Sequence, residues 1–288
     1  MLRLLDRSRS LYRLSDLGMP DRLHEMYSKV VRSPFGMVIV SGPTGSGKTT
    51  TLYATLSEIN RPDMNVMTIE DPVEYVFPLV NQIQISEQAG LSFATGLKSI
   101  LRQDPDVILV GEVRDVETAR IAVQSAMTGH LVLSSVHAID SVSAMYRLLD
   151  MGVESFLITS AVVGVVAQRL VRRNCKNCAV VYDPTFSEIA LFRKLGGDAD
   201  KREFWKGEGC TFCSHTGFFD RIGVYEVLSL SDEVRQAMIE GKSPKVAREI
   251  AVQQGLSTLQ NEAMRLVEQD ITTIDEVVRH VFVSEAME

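Results

Sequence analysis

Short apolar runs alternate with longer amphipathic stretches through the first half of the chain. Aliphatic and β-branched residues dominate these runs, which is typical of buried strands. The predicted strands of this kind are residues 37–40, 66–69, 107–110 and 130–137, and residues 80–85 alternate apolar and polar positions, as in a strand near an edge of the sheet. Stretches with apolar positions at helical spacing precede or separate them, and the predicted helices are residues 21–31, 50–59, 93–102 and 116–127. This alternation predicts an α/β fold with a largely parallel sheet and helices on both faces.

After about residue 140 the pattern changes, and most of the remaining chain is predicted to be helical. The main candidates are residues 141–150 and 155–172. Further helices are predicted to begin at Asp232, Pro244, Thr258 and Ile274. Two of these starts carry capping signals. Ser243 precedes Pro244 as an N-cap residue, and Thr273 with Glu276 has the spacing of a capping box.

A glycine-rich stretch lies between the first predicted strand and a predicted helix. Its sequence fits the phosphate-loop pattern G-x-x-x-x-G-K-[ST], so backbone N–H groups and the helix dipole would face a phosphate. Lys48 would supply a charge for the β- and γ-phosphates, and the Thr49 hydroxyl is placed to bind Mg²⁺. The predicted nucleotide-binding residues are Gly42, Pro43, Thr44, Gly45, Ser46, Gly47, Lys48, Thr49 and Thr50. The alternative, a chance glycine-rich turn, is disfavoured by the two flanking elements.

Three further polar side chains follow predicted strands. Glu70 follows residues 66–69, and Glu112 follows the apolar run 107–110 as in a Walker B strand. His137 ends the run 130–137 and is favoured over His130 as a phosphate contact. Ligands bind at the carboxyl ends of parallel strands, so all three side chains are predicted to lie near the phosphate loop. The alternatives are a solvated acidic turn, a surface glutamate and a structural histidine.

The four cysteines form two close pairs, Cys175 with Cys178 and Cys210 with Cys213. The pairs are separated by residues 179–209. This C-x₂-C…C-x₂-C pattern favours a tetrahedral Zn²⁺ site over disulfides in a cytosolic protein. A redox-active pair is the runner-up, and His215 is a possible substitute ligand. A closed site of this kind stabilises a small lobe and implies no catalysis.

The composition is that of a globular protein, with 288 residues, 45% hydrophobic, 23% charged and a net charge of −7. An acidic chain argues against nucleic acid as the main partner, although Arg169, Arg172, Arg173 and Lys176 are a local basic group. No signal peptide or membrane-spanning segment is recognisable in the sequence. We therefore expect a cytoplasmic location, with membrane attachment only through partners. Residues 1–16 look like a linker or the end of a preceding domain.

Several motifs occur in one order along the chain: residues 42–49, 68–75, 101–115, 128–137 and 167–172, followed by the cysteines. In these motifs the chain resembles the ATPases of type II secretion and type IV pilus assembly. The resemblance implies a RecA-like ATPase domain that binds ATP, Mg²⁺ and Zn²⁺ and works as a homo-hexamer. It also implies that Glu70 orients or deprotonates the attacking water. Glu112 would hold Mg²⁺ through water, and His137 would sense the γ-phosphate.

In the family that the chain resembles, arginines from a preceding N-terminal domain reach the nucleotide of the neighbouring subunit. That domain is not recognisable in this sequence. Arg102 and Arg114 are weaker candidates for the role, and the alternative for them is ion pairing with Asp104 and Asp115. The predicted divisions are a linker with the end of a missing N-terminal domain (1–35), the ATPase core (36–172), a zinc-binding lobe (173–220) and a C-terminal helical region (221–288).

The predicted function is Mg²⁺-dependent ATP hydrolysis that powers a type II secretion system, at the inner membrane and through a membrane platform protein. Pilus assembly is the alternative, and the tetracysteine lobe disfavours the pilus-retraction branch of the resemblance. A GTPase-like switch is less favoured because the chain has no Asn-Lys-x-Asp motif. A DNA translocase is disfavoured by the negative charge. A zinc-stabilised docking module is a fourth possibility.

Overall fold

The computed structural model describes residues 12–282, and its centre is a seven-stranded sheet with the strand order β3-β2-β4-β5-β1-β6-β9. Its strands are β1 (Gly36–Ser41), β2 (Val66–Glu70), β3 (Val80–Gln84), β4 (Val107–Val110), β5 (Leu131–Val136), β6 (Val162–Asn174) and β9 (Phe218–Ser229). All neighbours in it are parallel except β6 and β9. A separate antiparallel pair consists of β7 (Ala179–Tyr182) and β8 (Phe204–Gly207). The predicted α/β fold with a largely parallel sheet is confirmed.

Eleven α-helices surround these strands within residues 12–282. They are α1 (Asp21–Val31), α2 (Lys48–Ile59), α3 (Phe93–Ile100), α4 (Val116–Met127), α5 (Ser141–Asp150), α6 (Ser155–Ala161), α7 (Phe186–Lys194), α8 (Asp232–Ile239), α9 (Pro244–Gln253), α10 (Leu259–Glu268) and α11 (Ile274–Val281). Short 3₁₀ turns occur at Leu14–Leu17, Glu87–Ala89 and Thr211–Cys213. In this part of the chain no helix combines the length and the apolar character needed to cross a membrane.

The two faces of the sheet are covered by separate cores, as alternating strand positions require. On β1, Met37 and Ile39 pack into one core, whereas Val38 and Val40 pack into the other. All six residues of β1 are buried, which explains the continuous apolar run that identified it. A third core lies under the C-terminal helices and the lobe, around Val171, Phe192, Phe204, Leu259 and Ile274.

The prediction of one helix over residues 155–172 is wrong. Helix α6 ends at Ala161, and the chain continues as the 13-residue strand β6. β-branched Val162, Val163, Val165 and Val166 favour a pleated strand, and β6 gains hydrogen-bonded neighbours on both sides from β1 and β9. A Cβ at Gly164 would lie 2.6 Å from Val30 Cγ1, so α1 packs directly onto the strand backbone.

The C-terminal helices begin where the sequence predicts them. Helices α8 and α9 start at Asp232 and Pro244, and Thr258 and Thr273 cap α10 and α11. One capping detail is wrong, because the Glu276 carboxylate does not return to Thr273 but binds Arg172 on β6.

The predicted domain boundaries stay predictions. Residues 221–229 belong to β9 of the main sheet, so helices of the C-terminal region start only after them. Residues 1–11 of the predicted linker lie outside the described residues.

Candidate functional site

The phosphate loop joins β1 to α2, as its flanks predicted. Gly42, Gly45 and Gly47 have φ angles of 153°, 79° and 89°, in the region that favours glycine. A Cβ at Gly42 would also lie 2.6 Å from the Gln168 carbonyl oxygen of β6. The loop therefore needs glycine both for its backbone turns and for its close contact with the neighbouring strand.

Lys48 is the first residue of α2, and its side chain lies over the loop. Its Nζ donates to the carbonyl oxygens of Gly42 and Pro43, at 2.8 and 3.1 Å. Burial lowers the pKa of the Lys48 ammonium, while the charge of Glu112 opposes this effect and that of Arg169 adds to it. The ammonium is thus placed near the carboxylate that follows β4.

A cleft of about 600 Å³ opens beside the loop, at the carboxyl ends of the parallel strands. It brings together most of the predicted site residues, which come from four separate parts of the sequence. Those that line the cleft are Thr44, Gly45, Gly47, Lys48, Thr49, Thr50, Glu70, Glu112 and His137. Gly42, Pro43 and Ser46 belong to the same loop but do not line the cleft. Such a cleft has room for a nucleotide.

Glu70 ends β2 and is only 3% exposed. Three neutral groups donate hydrogen bonds to its carboxylate: the Tyr53 hydroxyl, Thr68 Oγ1 at 2.5 Å and Gln82 Nε2 at 3.2 Å. Burial and then the hydrogen bond to Glu70 raise the pKa of Tyr53, so the phenol stays protonated and acts as the donor. The carboxylate is therefore held in one orientation at the cleft wall.

Glu112 follows β4 after Gly111, and its side chain is largely buried. Its Oε1 accepts a hydrogen bond from Arg114 Nη2 at 2.5 Å, and Arg114 also lies 3.7 Å from Asp71. The sequence offered Asp115 as the partner of Arg114. That interpretation is wrong, because Asp115 caps α4 by accepting from Thr118 N at 2.8 Å.

His137 follows β5, and its Nε2 lies 3.8 Å from Glu112 Oε2. Burial lowers the pKa of His137, and the charge of Lys48 lowers it further, while Glu112 opposes them. Its imidazole is therefore mostly neutral at pH 7. His130 lies at the opposite end of β5, where its Nδ1 is 3.0 Å from the Ser125 carbonyl oxygen.

Arg102 does not line the cleft. Its guanidinium donates to the Lys98 carbonyl oxygen at 2.8 Å and to Ser99 Oγ at 3.2 Å. These contacts join Arg102 to the last turn of α3, so the guanidinium caps the helix locally, in place of the ion pair with Asp104 that was the alternative to an interface role.

Two polar residues behind the phosphate loop were not identified as functional from the sequence. Gln168 and Arg169 lie on β6 and are 1% and 8% exposed. The sequence placed them in a helix and read Arg169 as part of a basic group. The signal that could have identified them is a Gln-Arg pair inside an otherwise apolar, β-branched run.

The four cysteines meet at the far ends of β6 and β9, and their sulfur atoms all lie within 4.8 Å of one another. Three Sγ–Sγ distances are 3.9 Å (Cys175–Cys210), 3.8 Å (Cys178–Cys213) and 3.7 Å (Cys210–Cys213). A tetrahedron with Zn–S bonds of about 2.3 Å has edges of roughly 3.8 Å. The donor set therefore fits Zn²⁺.

Backbone groups complete the surroundings of the sulfur atoms. Gly209 N donates to Cys178 Sγ at 3.3 Å, and Cys210 N donates to Cys213 Sγ at 3.2 Å. Such N–H donors stabilise thiolates, the form that binds metal. All four cysteines are free, and each sulfur lies within 4.8 Å of the other three, which favours one shared metal ion over two disulfide pairs. His215 is outside the cluster found among the described residues.

Comparison with known proteins places this architecture among secretion ATPases. A family model described as "Type II/IV secretion system protein" matches residues 1–279. The type IV pilus assembly ATPase PilB of Thermus thermophilus is 43% identical over 281 residues, which is 96% of this chain and 31% of that protein. The type II secretion system protein HxcR of Pseudomonas aeruginosa is 43% identical over 279 residues, which is 97% of this chain and 55% of that protein.

Solved structures show the same fold. The crystal structure of the pilus retraction motor PilT with bound ADP has a TM-score of 0.71 and 26% identity, and the match covers 95% of this chain and 68% of that chain. The ATPase DotB of Legionella pneumophila has a TM-score of 0.67 at 24% identity, over 96% of this chain and 66% of that chain. The chain thus spans about a third to a half of the curated relatives' length.

Proposed function

Because the chain belongs to the type II/IV secretion system protein family, we propose that it carries the nucleotide site of an ATPase that drives type II secretion. The observation that carries the proposal is the single cleft in which the phosphate loop, Glu70, Glu112 and His137 meet. Sequence similarity also supports assembly of type IV pili as the alternative, since PilB and HxcR are equally similar to this chain at 43% identity.

The role of each side chain follows from its place in the cleft. Loop N–H groups and Lys48 bind the phosphates, and the Thr49 hydroxyl with Glu112, through water, would hold Mg²⁺. When bound, Mg²⁺ neutralises charge on the β- and γ-phosphates. Glu70, fixed by its three donors, orients the water that attacks the γ-phosphate. The neutral imidazole of His137 donates a hydrogen bond to the γ-phosphate.

The larger assembly is part of the same proposal. By analogy with its family, the protein works as a homo-hexamer on the cytoplasmic side of the inner membrane, held there by a platform protein of the secretion or pilus machine. The four cysteines bind Zn²⁺ and stabilise the lobe. Loss of secretion with intact piliation in a deletion strain would favour type II secretion, and the reverse result would favour pilus assembly.

The site is tested with two substitutions in the full-length protein. Lys48→Ala removes the charge for the phosphates, so we expect it to abolish ATP binding. Glu70→Gln keeps the size of the side chain and removes its charge, so we expect binding to persist while Mg²⁺-dependent turnover falls by about 10² or more. Binding is measured by calorimetry and turnover by phosphate release.

The matched control is Glu117→Gln, since Glu117 is 59% exposed and pairs with Lys98 on the outer surface. It should leave both quantities unchanged. Wild-type ATP binding in the Lys48→Ala variant would refute the site, and wild-type turnover in Glu70→Gln would refute the role of Glu70.

A further inference from the structure

Gln168 is a buried polar side chain directly behind the phosphate loop. It lies on β6, next to β1, and is 1% exposed. A buried amide destabilises a protein unless it is hydrogen-bonded, so the partners of Gln168 show what the position requires. Those partners are not on neighbouring strands but in the loop and the first turn of α2.

Each end of the Gln168 amide has a defined partner. Nε2 donates to the Ser46 carbonyl oxygen at 2.6 Å, and Oε1 accepts from Thr51 Oγ1 at 2.8 Å. The Thr51 hydroxyl donor and the Ser46 carbonyl acceptor together fix which way the amide faces. Gln168 therefore connects the strand to both the end of the loop and the start of the helix.

The contact with Ser46 sets the direction of a loop N–H group. In a planar trans peptide, the carbonyl of one residue and the N–H of the next point in opposite directions. Gln168 holds the Ser46 carbonyl on the strand side, so the Gly47 N–H points away from β6. Gly47 lines the cleft. The N–H is thus directed toward the place where phosphates bind in the proposed function.

The backbone of Gln168 holds the other end of the loop. Its carbonyl oxygen is so close to Gly42 that a Cβ there would be 2.6 Å away. Arg169 fixes this carbonyl by donating to it from Nη1 at 3.0 Å, and its Nη2 donates to the Ile139 carbonyl oxygen at 2.7 Å. Ile139 lies two residues after His137, so the Arg169 guanidinium also contacts the loop that follows β5.

We propose that Gln168 is a positioning residue that holds the phosphate loop with its N–H groups directed at the nucleotide phosphates. The proposal rests on the function proposed above. It means that strand β6 holds the nucleotide site in its binding geometry before the nucleotide arrives. It predicts that nucleotide affinity depends on the Gln168 amide and not only on the loop residues.

The test compares the affinity of variants for a fluorescent ADP analogue in the whole chain. Gln168→Glu places an oxygen against the Ser46 carbonyl oxygen, and Gln168→Met keeps the length without hydrogen bonds. We expect both to weaken ADP binding about tenfold, a change of about 1.4 kcal/mol in binding free energy. Thr51→Val, which removes the partner of Oε1, should weaken binding by a smaller factor.

Asn174→Leu is the matched control for a general loss of stability. Asn174 is a buried amide on the same strand, and its Nδ2 donates to the Trp205 and Asp270 carbonyl oxygens at 2.9 and 3.0 Å. Thermal unfolding of each variant reports its stability. A purely structural role for Gln168 would lower the unfolding temperature of the Gln168 and Asn174 variants alike and leave ADP affinity unchanged.

The outcomes separate the two proposals. If the wild type does not bind ADP, the proposed function fails and this inference fails with it. If the wild type binds but folded Gln168 variants bind equally well, or Asn174→Leu weakens binding as much, the inference alone is overturned. Should the Gln168 variants not fold, Thr51→Val decides, and unchanged ADP affinity in it would overturn the inference.

Discussion

At the scale of single residues, the cleft depends on two buried polar side chains that are each held by several hydrogen-bond partners. Glu70 accepts from Tyr53, Thr68 and Gln82, while Gln168 bridges Ser46 and Thr51. A side chain fixed by two or three partners loses little freedom when a ligand arrives, which is the physical basis of preorganisation. Substituting these supporting residues should therefore change binding or turnover, as substituting the side chains that line the cleft should.

Tyr53→Phe should show whether the orientation of Glu70 affects turnover without affecting nucleotide binding. The change removes one donor to Glu70 and keeps the ring, whose centroid lies 4.9 Å from that of Phe77. We expect turnover to fall by about tenfold, while affinity for ADP changes by less than about twofold. Steady-state kinetics and ADP titration measure the two effects.

Tyr27→Phe is the control for the loss of a buried hydroxyl. Tyr27 is fully buried and does not line the cleft, and its hydroxyl lies 2.7 Å from Thr55 Oγ1. Equal turnover in wild type and Tyr53→Phe, or an equal loss in Tyr27→Phe, would contradict the role of Tyr53.

The sequence could indicate those cleft residues whose chemistry is visible in a local sequence pattern. Lys48 and Thr49 stand in a local pattern, and Glu112 and His137 end apolar runs. Tyr53 and Gln168 could not be found in this way, because each acts on a partner that is distant in sequence. Gln168 and Ser46 are separated by 122 positions, and only the pairing of β6 with β1 brings them together.

At the scale of elements, the sequence predicted the first half of the fold well and failed at β6. Most strands in the first half are short apolar runs between turn signals, and β3 alternates apolar and polar positions, whereas residues 155–172 form one long, mostly apolar stretch. Periodicity does not separate a buried strand from a buried helix in such a stretch. The strand is selected by long-range pairing with β1 and β9, which the local sequence does not contain.

Helix α11 is attached to β6 by an ion pair between half-exposed Arg172 and the buried carboxylate of Glu276. This pair leads to a prediction about pH. The Glu276 carboxylate is 1% exposed and accepts from Arg172 N at 2.9 Å, Nε at 3.0 Å and Nη2 at 2.6 Å. Burial acts to raise the pKa of Glu276, but the hydrogen bonds and charge of Arg172 outweigh it and hold the pKa below its usual value.

The sign of the pH effect follows from this lowered pKa. The unfolded chain takes up the proton first, at a pKa of about 4.3. Glu276 therefore stabilises the fold above that value, and the stabilisation is lost as the pH falls through the lowered pKa. We expect the free energy of unfolding to fall less steeply with acid in Glu276→Gln than in wild type, as measured by urea unfolding from pH 7 to 3.

Asp275→Asn is the control on the same helix. Asp275 pairs with Arg279 at the surface, where both side chains are more than half exposed, and such pairs contribute little. Its acid profile should match that of the wild type. Identical profiles for Glu276→Gln and wild type would contradict the assignment.

At the scale of the whole molecule, β6 is the element that joins the three cores. Val165 packs into the core on one face of the sheet, Val166 into the core on the other face, and Ala167 and Val171 into the third core. The same strand runs past the phosphate loop at Gln168 and ends one residue before Cys175. The nucleotide cleft and the cysteine cluster thus share one continuous support.

Cys210→Ser should show how far the lobe depends on its metal. We expect the variant to lose the Zn²⁺ that elemental analysis should find in the wild type at one ion per chain. Backbone amides of β7 and β8 should then exchange hydrogen faster, by about tenfold or more, because a lobe this small depends on metal binding for its folding. The buried amides of β1 should keep their protection. Unchanged exchange of β7 and β8 would show that the lobe folds without zinc.

The continuity of β6 has a consequence for every measurement of nucleotide affinity. If removing Zn²⁺ changes the affinity for ADP by some factor, ADP must change the affinity for Zn²⁺ by the same factor, because the two binding equilibria form a closed cycle. The metal content of a preparation is then a hidden variable in each nucleotide titration. Two batches of identical sequence that differ in zinc occupancy would then give different affinities for ADP. Measuring the occupancy of each batch would account for the difference.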